Sequence, residues 1–148
     1  MGLDQSFSGR SYPPTWVYEV SREKIREFAD SIGDSNPIHL DVDAAKAAGY
    51  EDVLAPPTFL TIVNIRAIDS IIHDPELGLD FGRMVHADQS FRFTRPVRAG
   101  DRLTVTAHIE DVATRLGNDF LSVRAEIATE DGEPVCTARA SLVVRRAE

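Results

Sequence analysis

The stretch that decides the fold is PPTFLTIVNIRAIDSII, residues 56–72, in which apolar side chains recur around every side of a helical projection. Two prolines open it, and proline suits the first turn of a helix because that turn needs no backbone N–H donor. A helix that is apolar almost all round is buried almost all round. The stretch is shorter than the roughly 20 residues of a membrane span. It therefore predicts a central helix, starting at Pro56-Pro57, that the rest of the chain wraps.

The second half of the chain supplies this wrapping. Apolar and polar residues alternate over 103–109 and 121–127, and residues 85–96, with Phe91 and Phe93 on one face, and 135–144 have the composition of further strands. Gly117-Asn118 and Asp131-Gly132 fall between strands, where hairpin turns belong. Long antiparallel strands around one buried helix predict an α+β fold of hot-dog architecture. The length of 148 residues suits one such domain, residues 1–148.

The first half of the chain is mainly helical. Residues 15–20 predict a short strand, and Arg22–Ile32 follows as a helix that Ser21 caps and Gly33 ends. Residues 33–41 are polar, contain a proline and predict a loop. Residues 43–48 predict a short alanine-rich helix that Gly49 ends.

The composition restricts the class of protein. The net charge of −8 makes nucleic acid an unsuitable partner, and residues 1–10 lack the apolar core of a secretory signal. Cys136 is the only cysteine and lies in a strand-like stretch, so we expect it to be a packing residue in a cytoplasmic protein. His and Cys show no metal-ligand spacing, and we expect neither a metal nor a cofactor, and no association with a membrane.

One segment is basic although the chain as a whole is acidic. Residues 83–102 carry five arginines against two aspartates, which favours a phosphate-bearing ligand. A solvated strand face is the alternative interpretation of the same residues. The arginines are Arg83, Arg92, Arg95, Arg98 and Arg102.

The polar loop GDSNPIHLD, residues 33–41, carries the candidate chemistry. An acid, Asp34, and an imidazole, His39, lie five residues apart, and Asn36-Pro37 between them is suited to hold the loop. A carboxylate and a neutral imidazole can share one water and exchange protons with a substrate on one face. Taken without further context, the same residue types also fit turn chemistry alone.

The loop resembles the signature of the MaoC-like (R)-specific enoyl-CoA hydratases, Asp34-x-Asn36-Pro37-x-His39. Leu40-Asp41 and Gly49-Tyr50 also agree with that family. Other segments are similar to the (3R)-hydroxyacyl-ACP dehydratases of actinobacteria, in particular their "A" subunits. These segments are residues 22–29, 53–59, 86–91 and 95–101, so the resemblance covers nearly the whole chain.

The resemblance implies an activity and a site. It implies hydration or dehydration of 2-enoyl and (3R)-3-hydroxyacyl thioesters of CoA or acyl carrier protein, with Asp34 and His39 as the catalytic pair. Asn36 and Pro37 would structure the loop, and the arginines at 83, 92, 95 and 98 would meet the phosphates. Sheets of this architecture pair edge to edge, so a homodimer, or a heterodimer with a paralogous subunit, is expected.

Two departures from the family pattern leave alternatives open. Typical hydratases place a glycine amide at the start of the long helix, whereas this chain has Pro57, which has no N–H. The amide of Thr58 is the substitute we expect. The "A" subunits often lack the catalytic pair, so a non-catalytic acyl-binding subunit is the second hypothesis. A hot-dog thioesterase is the third, although the start of the long helix offers no carboxylate.

Overall fold

The computed structural model describes residues 2–146. Six strands form one antiparallel sheet in the order β1-β4-β5-β6-β3, and β2 also pairs with β4. The strands are β1 (Ser11–Tyr12), β2 (Tyr18–Glu19), β3 (Met84–Phe93), β4 (Arg102–Arg115), β5 (Asn118–Thr129) and β6 (Pro134–Arg145). The helices are α1 (Arg22–Ile32), α2 (Val42–Ala47) and α3 (Thr61–Ile72). The predicted α+β hot-dog fold is confirmed.

The first helix has the predicted bounds because both of its ends are fixed locally. The side chain of Ser21 accepts a hydrogen bond from Lys24 N–H, and Gly33 ends the helix in the left-handed conformation, with φ 72°. The second helix begins one residue earlier than predicted, at Val42, because the carboxylate of Asp41 caps it by accepting from Asp43 N–H.

The central helix starts later than predicted, at Thr61 instead of Pro56-Pro57. A proline disfavours helical backbone in the residue before it, so the prolines delay the helix. Phe59 N–H donates to Pro56 O at 2.9 Å, and Thr61 N–H donates to Thr58 O at 3.0 Å. Three-residue turns of this kind are tighter than α-helix and carry the chain from the prolines into α3.

The sheet covers α3 on one side. Alternate residues of β4, β5 and β6 are buried, and β4 and β5 contact α3, whose buried face presents Val63, Ala67, Ile68 and Ile71. The expectation that the helix is buried all round is wrong, because Ile65 on the opposite side is 55% exposed. One layer of sheet from one chain reaches only the inner face of the helix.

The hairpins and the edge strands differ in detail from the prediction. The turn between β4 and β5 is Leu116-Gly117, one residue earlier than predicted, and both residues have positive φ (49° and 75°). The strand expected over 15–20 is reduced to Tyr18–Glu19. Strand β3 ends at Phe93 instead of residue 96 and pairs only with β6 in the path of the sheet. No helix within residues 2–146 is long and apolar enough to cross a lipid bilayer.

Candidate active site

The loop after α1 places its polar residues through its own backbone. Asp34 N–H donates to Ala29 O at 2.9 Å, which fixes Asp34 at the end of the helix. Its carboxylate Oδ1 accepts from Asn36 N–H at 3.1 Å. The Oδ1 of Asn36 then accepts from Ile38 N–H at 3.2 Å, and Pro37 opens a 3₁₀ turn, Pro37–His39. This turn carries His39 back towards Asp34.

His39 and Asp34 form the pair that the sequence predicted. The Nε2 of His39 lies 3.1 Å from Oδ2 of Asp34. His39 is 5% exposed, whereas the carboxylate of Asp34 is half-buried and reaches solvent. A buried imidazole beside a partly hydrated carboxylate can exchange protons with a ligand that enters from the solvent side.

The other imidazole nitrogen is held by a residue that sequence reasoning missed. Nδ1 of His39 lies 2.6 Å from the carbonyl oxygen of Leu54. A carbonyl can only accept, so Nδ1 carries a hydrogen and Nε2 is left for proton exchange. Two backbone interactions position Leu54. Its N–H donates to Ile38 O at 2.9 Å, and it forms an antiparallel β-bridge with Arg98. The residues before Pro56-Pro57 were the available signal, because a proline favours extended backbone before it.

A cavity of about 600 Å³ opens on this pair. Asp34, Asn36 and His39 provide its polar side. Its remaining wall is largely apolar and includes Ile38, Leu54, Ala55, Pro57, Phe93 and Val97. A concave, mainly apolar site with a few convergent polar groups is typical of small-ligand sites.

The predicted oxyanion donor is less well placed. Pro57 lines the cavity but offers no N–H. Thr58 is exposed and is not one of the residues that line the cavity. The structure therefore brings together the acid, the imidazole and the loop residues, and leaves Thr58 at the margin.

The arginines do not form one cluster. Arg95 lines the cavity, but its guanidinium binds Asp101 at 2.9 and 3.0 Å and Glu133 at 2.8 Å. The hydrogen bonds to Asp101 outweigh desolvation and raise the pKa of Arg95. Arg98 pairs with the exposed Glu51 at 3.1 Å.

Arg83 and Arg92 lie away from the cavity. Strand β3 separates them by roughly 30 Å at the usual rise of a strand. Arg83 lines a second cavity, of about 530 Å³, with Arg145 and Arg146. The four predicted arginines therefore do not form a single patch within the described chain, because the extended strand places Arg83 far from Arg92.

A second polar group inside the molecule was also missed. Asn64 lies in the buried face of α3, and its Nδ2 donates to Oε1 of Gln89 on β3 at 3.1 Å. His86 Nε2 lies 3.1 Å from the same oxygen. A β-bulge between His86 and Asp88 accompanies this contact. Among the residues described, no three His, Cys, Asp or Glu side chains are grouped to hold a metal ion.

Comparison with known proteins agrees with this fold and identifies the family. A family profile described as "FAS1-like, dehydratase domain region" matches residues 6–138. The chain belongs to the FAS1-like dehydratase family. A family relative from Saccharopolyspora erythraea, known as a UPF0336 protein, is 60% identical over 98% of this chain and 93% of its own length. A UPF0336 protein of Streptomyces avermitilis is 59% identical over 100% of this chain and 99% of its own.

Solved structures with the same fold include a dehydratase complex and an (R)-hydratase. The truncated HadBC (3R-hydroxyacyl-ACP dehydratase) complex of Mycobacterium tuberculosis has a chain that superposes with a TM-score of 0.86 and 31% identity, covering 97% of this chain and 99% of that one. The (R)-hydratase of A. caviae shares the fold, with a TM-score of 0.69 at 21% identity over 94% and 96% of the two chains. The predicted resemblance to MaoC-like hydratases and dehydratases is confirmed at the level of family and fold.

Proposed function

We propose that the protein catalyses (R)-specific hydration and dehydration of 2-enoyl and 3-hydroxyacyl thioesters, carried by CoA or acyl carrier protein, in cytoplasmic fatty acid metabolism. The observation that carries the proposal is the 3.1 Å contact between His39 Nε2 and Asp34 Oδ2 at the wall of an apolar cavity. The hydro-lyases among its structural relatives support the same reaction class.

The pair can perform the reaction with a balanced proton count. In hydration, Asp34 orients a water whose oxygen bonds to C3 of the enoyl group as the carbon–carbon double bond becomes a single bond. The water gives one proton to the Asp34–His39 pair, and His39 delivers one proton to C2. The pair ends in its starting protonation state, so dehydration is the same path in reverse.

The thioester oxygen gains negative charge as C3 is attacked, and it needs a hydrogen-bond donor. We assign Thr58 N–H as one donor to this oxygen, since Pro57 cannot donate, although Thr58 lies at the margin of the cavity. Asn36 and Pro37 keep the turn that carries His39. Of the four arginines, Arg98 is the candidate for the CoA or carrier phosphate. Its backbone forms a β-bridge with the cavity residue Leu54. Its side chain forms an exposed ion pair with Glu51, which is weak enough for a phosphate to replace the carboxylate.

The second chain of a dimer would pair along β3. This strand has a free edge and exposes Val85 and Phe93. A free apolar edge is a template for another strand. Relatives described as the HadBC and ChsH1-ChsH2 complexes support pairing with a paralogous subunit, and a homodimer uses the same edge.

A specific observation favours the second candidate function. Pro57 removes the amide that typical hydratases use, so a non-catalytic acyl-binding subunit of a heteromeric dehydratase remains the alternative. A hot-dog thioesterase is disfavoured because α3 and the turn before it, residues 57–72, present Asp69 as their only carboxylate, near the far end of the helix.

The deciding experiment is hydration of crotonyl-CoA by the purified chain, followed by the loss of enoyl absorbance. The wild type is compared with His39→Ala, Asp34→Asn and the control His73→Ala, whose side chain is exposed. Turnover that is retained in the control and lost in the two site variants supports the proposal. Turnover that appears only with a co-purified partner supports the acyl-binding subunit, and free thiol release without hydration supports a thioesterase.

A further inference from the structure

The cavity wall contains a solvent-exposed side-chain donor, on Asn36, that one hydrogen bond orients and that has no acceptor among the described residues. Because Ile38 N–H is a donor, the atom of Asn36 that faces it at 3.2 Å is the amide oxygen. The amide plane is thereby fixed, and Nδ2 is at its other end with two hydrogens. Within residues 2–146, no hydrogen bond from Nδ2 of Asn36 is formed, although Asn36 lines the cavity.

The other side-chain donors around the cavity either already contact protein groups or have no fixed direction. Nδ1 of His39 donates to Leu54 O, and Nε2 faces Asp34, where it exchanges protons. Arg95 is directed to Asp101, Glu133 and the Pro96 carbonyl. The hydroxyl of Thr94 is exposed on a rotatable bond. Asn36 is therefore the side-chain donor that is both oriented and available.

Most backbone amides of the cavity wall are also engaged. Those that donate within the protein belong to Asp34, Asn36, Ile38, His39, Leu54, Ala55 and Thr94. Pro57 has none, and Thr58 lies outside the cavity wall. An oxyanion formed beside the Asp34–His39 pair would thus find few fixed donors in the main chain.

We propose that Nδ2 of Asn36 donates a hydrogen bond to the thioester carbonyl oxygen, as the side-chain counterpart of the amide that Pro57 cannot supply. This inference rests on the proposed binding of acyl thioesters. Asn36 follows Asp34 by two residues and caps the turn that ends at His39, so donor, acid and imidazole belong to one segment held by local hydrogen bonds. A donor fixed before the reaction stabilises developing charge without reorganisation.

The test distinguishes the role of Asn36 Oδ1, which caps the turn, from the role of Nδ2, which donates to the ligand. Asn36→Ser keeps a side-chain oxygen to cap the Pro37–His39 turn and removes the amide donor, since serine and asparagine are comparable caps. We expect an unchanged melting temperature and a fall in kcat for crotonyl-CoA hydration of about 100-fold, as for loss of one oxyanion donor. The control is Ser35→Ala in the same loop, where Ser35 is exposed and is not part of the cavity wall. A kcat equal to that of wild type in Asn36→Ser overturns the inference.

A second readout does not depend on turnover. Butyryl-CoA cannot be hydrated because it has no carbon–carbon double bond. A ¹³C label at its thioester carbonyl identifies the C=O stretching band of the ligand in an infrared difference spectrum. We expect the stretch of the bound ligand to lie lower in wild type and Ser35→Ala than in Asn36→Ser. If wild type fails to hydrate crotonyl-CoA but shows this difference, the catalytic proposal fails and the Asn36 contact stands. If butyryl-CoA does not bind, or binds with the same stretch in all three proteins, the Asn36 contact is refuted.

Discussion

His39 Nδ1 lies 2.6 Å from the carbonyl oxygen of Leu54, fifteen residues further along the chain. This contact sets which imidazole nitrogen faces Asp34, because a carbonyl requires a protonated Nδ1. The position of Leu54 depends in turn on its bridge to Arg98 beyond the end of β3. The acid–base loop and the sheet are therefore joined through one backbone carbonyl.

Replacing His39 separates the two roles of its nitrogens. His39→Asn retains a donor near the position of Nδ1 and removes Nε2, so we expect near-normal stability and a loss of hydration of 10²–10⁴-fold. His39→Ala leaves the buried Leu54 carbonyl without its donor, which costs roughly 1–3 kcal/mol more in unfolding free energy. Urea unfolding measures the difference between the two variants. Equal stability of both variants would contradict the structural role of Nδ1.

Asp119 joins the two ends of the described chain and gives stability a dependence on pH. The buried carboxylate accepts from Leu3 N–H at 3.0 Å, Thr114 at 2.6 Å and Arg146 at 2.8 Å. Burial alone would raise the pKa of Asp119, but these hydrogen bonds outweigh it and lower the pKa. The stabilisation is therefore present above the unfolded pKa of about 3.9 and is lost as pH falls through the lower folded pKa.

Asp119→Asn tests this dependence. We expect the variant to be roughly 1–3 kcal/mol less stable than wild type at neutral pH. This difference in stability should narrow below about pH 4, where the carboxyl of the unfolded wild-type chain begins to protonate while that of the folded chain is still ionised. Denaturant midpoints at several pH values measure it, with Asp111→Asn, an exposed carboxylate of the same strand pair, as the control. A gap that stays constant down to pH 2 would argue against the mechanism.

Cys136 should be chemically inert in the folded protein. It lies in the core on β6, and burial raises the pKa of its thiol to about 11. Because the thiolate is the reactive form, we expect no labelling by a disulfide reagent at pH 8 without denaturant, and one label per chain after unfolding. Rapid labelling of the native protein would contradict the buried position, and a melting curve taken alongside would show whether the labelled protein was folded.

Leu116 is a site where a substitution should stabilise the protein. Its side chain is 100% exposed and its φ is 49°, a conformation that costs an L-residue other than Gly or Asn about 1 kcal/mol. Leu116→Asn produces Asn-Gly, the preferred pair for this turn. We expect a gain of about 1 kcal/mol in unfolding free energy. Val17→Asn, at an exposed position without positive φ, should give no gain, and an equal gain there would assign the effect to polarity.

The features that followed from the sequence depend on local interactions. The bounds of α1 were predictable because Ser21 and Gly33 act within one turn of each end. The Asp34–His39 pair was predictable because Asn36 and Pro37, between them, fold the loop on itself. The long strands followed from alternation that the buried face of the sheet imposes.

The features that did not follow depend on distant partners. The contact of His39 with Leu54 joins two segments that only the sheet brings together. The exposure of Ile65 depends on how far the sheet reaches around α3, which periodicity does not encode. The arginines at 83–98 are close in sequence, but strand β3 separates Arg83 from Arg92, and Arg95 and Arg98 form ion pairs with carboxylates.

Phe93 belongs to two surfaces, since it lines the cavity beside Asp34 and is exposed at the end of the free edge strand β3. A second chain pairing along that edge would therefore change one wall of the ligand site. If pairing along that edge changes the affinity for the ligand, the ligand changes the affinity of pairing by the same factor, because coupling between two binding events is reciprocal. The apparent affinity for an acyl thioester would then vary with protein concentration, and the thioester would change subunit association by the same factor.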